Sequence, residues 1–177
     1  MPQSERTSLF PPACPPTPMT ATPDPRWMNL AIRPSQLGIE SGQGGPFGAV
    51  IVHQGHVIAQ GHNQVLSNLD PTAHAEINVI RQACQQLQRF DLRGCDLYTS
   101  CEPCPMCLGA IYWARLDRVY YANTHRDAAA IGFDDQFIYE ELARPHPQRR
   151  VPLIHHPQPE ALQIFEQWAT WDDRVNY

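Results

Sequence analysis

Cys95-Asp96-Leu97-Tyr98-Thr99-Ser100-Cys101-Glu102-Pro103-Cys104-Pro105-Met106-Cys107-Leu108 carries a short strand straight into a helix start. The strand is expected from Cys95 to Ser100, after Gly94. Pro105 suits the first helical turn, where its missing N–H costs nothing, and the helix reads on to Ala114. Upstream, Ile77, Ile80, Cys84 and Leu87 recur at helical spacing between Ala73 and about Arg89. Further upstream, Phe47 to His53 and His56 to about Val65 are apolar and β-branched, separated by Gln54-Gly55, which predicts a hairpin. Asp24-Pro25 reads as a helix start running to about Gly42, with Pro34 expected to kink it or end a turn. Downstream come a strand from Arg118 to Ala122, a helix from Asp134 to Ala143, a last strand from Leu153 to His156, and a helix from Glu160 to about Trp171. That helix carries Ala161, Phe165 and Trp168 on one face. Strands alternating with helices after a hairpin predict an α/β fold: three α/β/α layers around a central mixed five-stranded sheet.

The composition narrows the chemistry. The chain has 177 residues and a formal net charge of −5, and all 13 basic residues are arginine. Without lysine there is no P-loop lysine, Schiff base or lysine nucleophile. The acidic balance argues against general nucleic-acid affinity, which depends on basic surface. No stretch approaches a membrane span or a signal peptide, so a cytoplasmic location is expected. Six cysteines in a reducing compartment point to metal or catalytic use. Residues 1–23 are Pro-rich and read as a disordered or draped extension, leaving 24–177 as one domain. Cys14, inside that extension, reads as a free thiol.

Two segments supply a metal site. Pro71-Thr72-Ala73-His74-Ala75-Glu76 opens one helix, and Pro103-Cys104-Pro105-Met106-Cys107 opens the other. Cys104 and Cys107 are three apart at a helix start, so both sulfurs share a face. A helix N-terminus favours the thiolate, which is the form that binds zinc. His74 supplies a third ligand. Three protein ligands leave a fourth tetrahedral position open to water, whose pKa a Zn2+ ion lowers. Glu76, two residues beyond His74, is then the proton carrier for that water. A structural zinc would show four protein ligands. An iron–sulfur run starting at Cys101 would need a further cysteine where Ile111 stands. Cys84 and Cys95 read as core, Cys101 as a wall of the site.

The joint pattern H-x-E, 26 residues, P-C-x-x-C is the signature of the zinc deaminases. The chain resembles the cytidine-deaminase superfamily, and most closely its guanine deaminases. The resemblance is carried by Gly44 to Val50, Asp70 to Glu76, Tyr98 to Trp113, and Ile131-Gly132-Phe133-Asp134-Asp135. It implies the cytidine-deaminase-like fold and the conversion of guanine and water to xanthine and ammonia. It places Asn63 and Ala75 against the purine, Phe47 and Trp113 as walls, and Asp135 as a second catalytic carboxylate beside Glu76. Asp134 and Asp135 also read as a helix cap, so one of them is expected to cap while the other faces the site. The resemblance further implies a homodimer in which the segment ending in Tyr177 closes a site, its own or the neighbouring subunit's.

The competing readings are a tRNA adenosine deaminase, a deaminase of cytosine or another aminoheterocycle, and a zinc-stabilised scaffold. The first needs basic surface, whereas Glu160, Glu166, Asp172 and Asp173 face only Arg174 in the C-terminal segment. The scaffold has no use for Glu76.

Overall fold

A computed structural model describes residues 22–177, so the Pro-rich extension, apart from Thr22 and Pro23, lies outside the described residues, as does Cys14. The elements run α1 (Pro25–Glu40), β1 (Gly48–His53), β2 (His56–His62), α2 (Val65–Asn68), α3 (Ala75–Leu87), β3 (Cys95–Cys101), α4 (Pro105–Ala114), β4 (Arg118–Asn123), α5 (His125–Ala130), α6 (Gln136–Ala143) and α7 (Pro159–Thr170).

The sheet order is β2-β1-β3-β4. Strand β1 pairs antiparallel with both neighbours, and β3 pairs parallel with β4. A parallel pair needs a crossover, and α4 is that crossover. The hairpin closes through Gln54 and Gly55, both at positive φ (49° and 77°), as a two-residue turn matched to strand twist requires.

Strand β1 explains the layering. Its side chains alternate between two faces, yet Gly48 to Val52 are all buried. Ala49 and Ile51 join Val79, Ala83 and Ile111 of α3 and α4 in one core. Val50 and Val52 join Ala31 of α1 and Tyr98 in a second, with Trp27 and Met28 packed against it. A strand covered on both faces reads as an unbroken apolar run, which is the sequence Ala49-Val50-Ile51-Val52. Among the described residues the three-layer mixed sheet therefore stands as expected.

Several details differ from expectation. The sheet has four strands among the described residues, because Leu153 to His156 pairs with nothing. Pro152 and Pro157 flank that stretch and remove the amide donors a ladder would need at its ends. Strand β2 stops at His62, and Val65 opens α2 instead. Helix α1 runs through Pro34 without ending. The Leu30 carbonyl, which Pro34 cannot serve, accepts instead from Gln60 Nε2 at 2.7 Å. Helix α7 forms, but Phe165 and Trp168 remain exposed.

Gly48 is where α1 meets the sheet most closely. A Cβ there would collide with the Ala31 carbonyl oxygen and lie 2.8 Å from Ser35 N, both backbone atoms. Its amide also donates to the buried Ser100 Oγ at 3.0 Å. Gly48→Ala should lower unfolding free energy by about 2 kcal/mol or more, because helix backbone must move. Urea denaturation checks this, and an unchanged midpoint would contradict the close approach.

Candidate metal centre and active site

The site forms where α3 and α4 begin, at the carboxyl end of β3. His74 is the N-cap of α3 and Cys104 the N-cap of α4. Both have extended backbone angles, and neither side chain makes a capping hydrogen bond. The side chains are thus free to meet each other. His74 Nδ1 lies 3.5 Å from both Cys104 Sγ and Cys107 Sγ. All three ligand atoms fall within 4.8 Å of one another, the spread expected of donors sharing one small ion.

The thiols share a proton unevenly. A hydrogen bond from Cys107 lowers the pKa of Cys104 to about 4, with His74 adding to the effect. Cys107 is pushed up, first as the donor to Cys104 and then by burial. His74 is raised in turn, chiefly by its bond to Cys104. A thiolate beside an imidazole and a second thiol is a soft donor set, matched to zinc.

Glu76, in the first turn of α3, is 5% exposed. Burial raises its pKa above the usual carboxylate range, while Thr99 opposes the rise. Thr99 Oγ1 donates to Oε1 at 3.0 Å, and Cys107 Sγ approaches Oε2 at 3.6 Å. One oxygen is thereby anchored and the other turned toward the donor cluster.

A cavity of about 560 Å³ opens onto this cluster. His74, Glu76, Asn63, Phe47 and Asp135 all line it. Cys107 lies beneath, fully buried. Asn63 Oδ1 accepts from Gly45 N at 3.3 Å and Val65 N at 3.2 Å. Both lone pairs are engaged, so the amide offers its Nδ2 donors to the cavity rather than a donor and an acceptor. The loop reaches this close because position 44 is glycine, where a Cβ would strike Asn63 Oδ1. Phe47 and Phe133 meet edge to face at 4.9 Å and form an apolar wall.

The two aspartates divide their work. Asp134 Oδ1 accepts from Gln136 N at 3.0 Å, at the start of α6. Asp135 makes no capping bond, and burial raises its pKa, with the Cys104 thiolate adding to the rise. Ala75 is fully buried in the core as the first residue of α3. The structure does not bring Trp113 and Tyr177 to the cavity. They lie on the surface, 64% and 71% exposed, with ring centroids 6.4 Å apart. Cys101 lines the cavity, and its pKa is pushed up to about 11, chiefly by burial.

Sequence reasoning missed Thr99 as the anchor of Glu76, and it missed α5 with the residues before it. The capping box formed by Thr124 and Asp127 was a readable signal for α5. Thr99 had no signal, since it became informative only when β3 was laid beneath α3.

A one-histidine, two-thiol cluster with a buried glutamate beside it, under a small-molecule cavity, defines a zinc-dependent hydrolytic deaminase. Residues 21–123 match the cytidine and deoxycytidylate deaminase zinc-binding region, and the chain belongs to that family. It is 52% identical to the guanine deaminase of Bacillus subtilis over 140 residues, 79% of this chain and 90% of that protein. The crystal structure of a guanine deaminase from Bacillus subtilis superposes with a TM-score of 0.84 at 47% identity, covering 88% of this chain and 99% of the other. The tRNA-specific adenosine deaminase of Aquifex aeolicus is 32% identical over 142 residues, 80% of this chain and 91% of that protein.

Thr99→Val should retain zinc while kcat/KM falls about tenfold. Glu76 must be ionised to accept a proton, and the Thr99 hydroxyl stabilises that form. Its loss raises the glutamate pKa further, so the acid-side decline in activity should move to higher pH. A pH profile coincident with that of the unaltered protein would leave Thr99 a packing residue only.

Proposed function

We propose that the protein hydrolyses guanine to xanthine and ammonia. The observation that carries this is the buried Glu76 carboxylate, anchored by Thr99 and turned toward the His74, Cys104 and Cys107 cluster. His74, Cys104 and Cys107 would hold a zinc ion, which would supply Lewis acidity and a water of lowered pKa. Glu76 is placed to carry two protons from the water in turn, one to the ring nitrogen and one to the departing amine. Its burial makes it a stronger base than an exposed carboxylate, which suits it to that exchange. Asn63 donates from Nδ2 to an acceptor on the purine edge, Phe47 with Phe133 presses on the ring, and Asp135 accepts from the exocyclic amine. The 52% identity to a guanine deaminase, against 32% to a tRNA-specific enzyme, and the net charge of −5 favour a free base over RNA.

The reading extends to a homodimer with exchanged C-terminal segments. It is supported by the exposed apolar residues of α7, among them Leu162, Phe165 and Trp168, which a single chain leaves in water. Such an arrangement gives Tyr177 a site to close. A cytoplasmic setting is part of the same proposal. The five cysteines among the described residues are free thiols, and no described helix is long and apolar enough to cross a membrane.

Ammonia release measured across guanine, adenine, cytosine, their nucleosides and tRNA should single out guanine, and preference for any other substrate overturns the assignment. Glu76→Gln should keep about one zinc per chain and lose roughly a thousandfold in kcat. Substantial remaining turnover would remove Glu76 from proton transfer. Sedimentation should report a dimer, and Phe165→Glu with Trp168→Glu should shift it to monomer. A monomeric unaltered protein ends the dimer reading.

A further inference from the structure

The cavity has a polar group that the reaction above leaves unused. His125, the first residue of α5, lines the cavity together with Glu102. Glu102 Oε2 accepts twice from this one residue: from the His125 backbone N at 3.0 Å and from its Nδ1 at 2.8 Å. Two bonds to one carboxylate oxygen fix both the backbone and the ring. A carboxylate only accepts, so Nδ1 carries the proton, and in the neutral ring Nε2 is then an acceptor. Nε2 is then the free nitrogen of the ring, without a partner among the described residues. The Thr124–Asp127 capping box holds the same turn from the other side, through Asp127 Oδ2 to Thr124 N at 2.8 Å.

We propose that His125 is a substrate-binding residue, its Nε2 accepting a ring N–H of the base, and that Glu102 is the positioning residue that aims it. The proposal rests on the guanine reading of this same cavity. Asn63 offers only donors, so it can satisfy acceptors of the purine but none of its ring N–H groups. His125, lining the same cavity, supplies the acceptor that Asn63 lacks. A purine bound without it buries an unpaired donor and is held less well. Glu102 lies in the metal loop between Cys101 and Cys104, so the orientation of His125 is tied to the segment that carries two of the metal ligands.

Asparagine and glutamine separate a binding role from a structural one. An asparagine amide reaches only as far as Nδ1 and can keep the bond to Glu102, whereas a glutamine amide reaches the position of Nε2. The expected result is that His125→Ala and His125→Asn raise the guanine KM about tenfold or more with kcat within about threefold. His125→Gln should recover most of that loss, and all three should keep the zinc content of the unaltered protein. Rescue by Asn and not by Gln, or an unchanged KM in His125→Ala, overturns the proposal. Should the alanine variant not fold, the Asn and Gln pair decides alone. Should the unaltered protein release no ammonia from guanine, the functional reading falls by itself. The three variants are then compared on the base it does deaminate, with the same two outcomes.

Discussion

The structure depends on two helices that begin with ligands instead of caps. An N-cap residue usually spends its side chain on an orphan amide of the first turn. His74 and Cys104 stand at that position and make no such bond. Each helix thus forgoes a stabilisation of about 1 kcal/mol typical of a cap. In exchange, two extended backbones aim an imidazole and a thiolate at one point, with Cys107 a turn further along. Helix dipoles favour the thiolate at such a position. The compensation comes from the layers behind the site, where α3 and α4 share one apolar core with β1 and β3. The metal centre is therefore carried by the rigid part of the molecule, as a catalytic site requires.

Glu76 follows from the same constraint. Two residues beyond His74, it falls on the inner side of the first turn of α3 and is buried over β3. A buried carboxylate without a partner would be costly. Thr99 supplies one hydrogen bond from the strand beneath, and the second oxygen faces the donor cluster. The strand thus acts twice. It fills the core with Leu97, and it presents a hydroxyl at Thr99 where the glutamate needs it.

The parts of this architecture that a sequence reveals are those with local signals. His74, Glu76, Cys104 and Cys107 are legible because their spacing is set by a single helical turn. The run Ala49 to Val52 is legible as a strand, and its unbroken apolar character is the local signal of cover on both faces. The Leu153–His156 stretch was misread because its apolar pair outweighed the prolines on either side. The ending that Pro34 suggests fails for a different reason. Its cost depends on whether another group serves the Leu30 carbonyl, and Gln60 lies on a different element. The division of labour between Asp134 and Asp135 was left open by local pattern, and only backbone geometry separates the cap from the free carboxylate. What stayed hidden in each case is a partner distant in sequence.

The electrostatics of the cavity bear on what can enter it. Glu76, Glu102 and Asp135 bring carboxylates to its walls, and the whole chain carries −5. A phosphate at the mouth would meet like charge in a partly desolvated space, where repulsion is stronger than in water. A nucleotide or an RNA strand must overcome that repulsion before its base reaches the donor cluster, whereas a neutral planar base does not. Specificity then arises from rejection as much as from contact. A relative acting on tRNA needs basic surface to hold its substrate. Retention of the same zinc residues therefore does not imply retention of the same substrate.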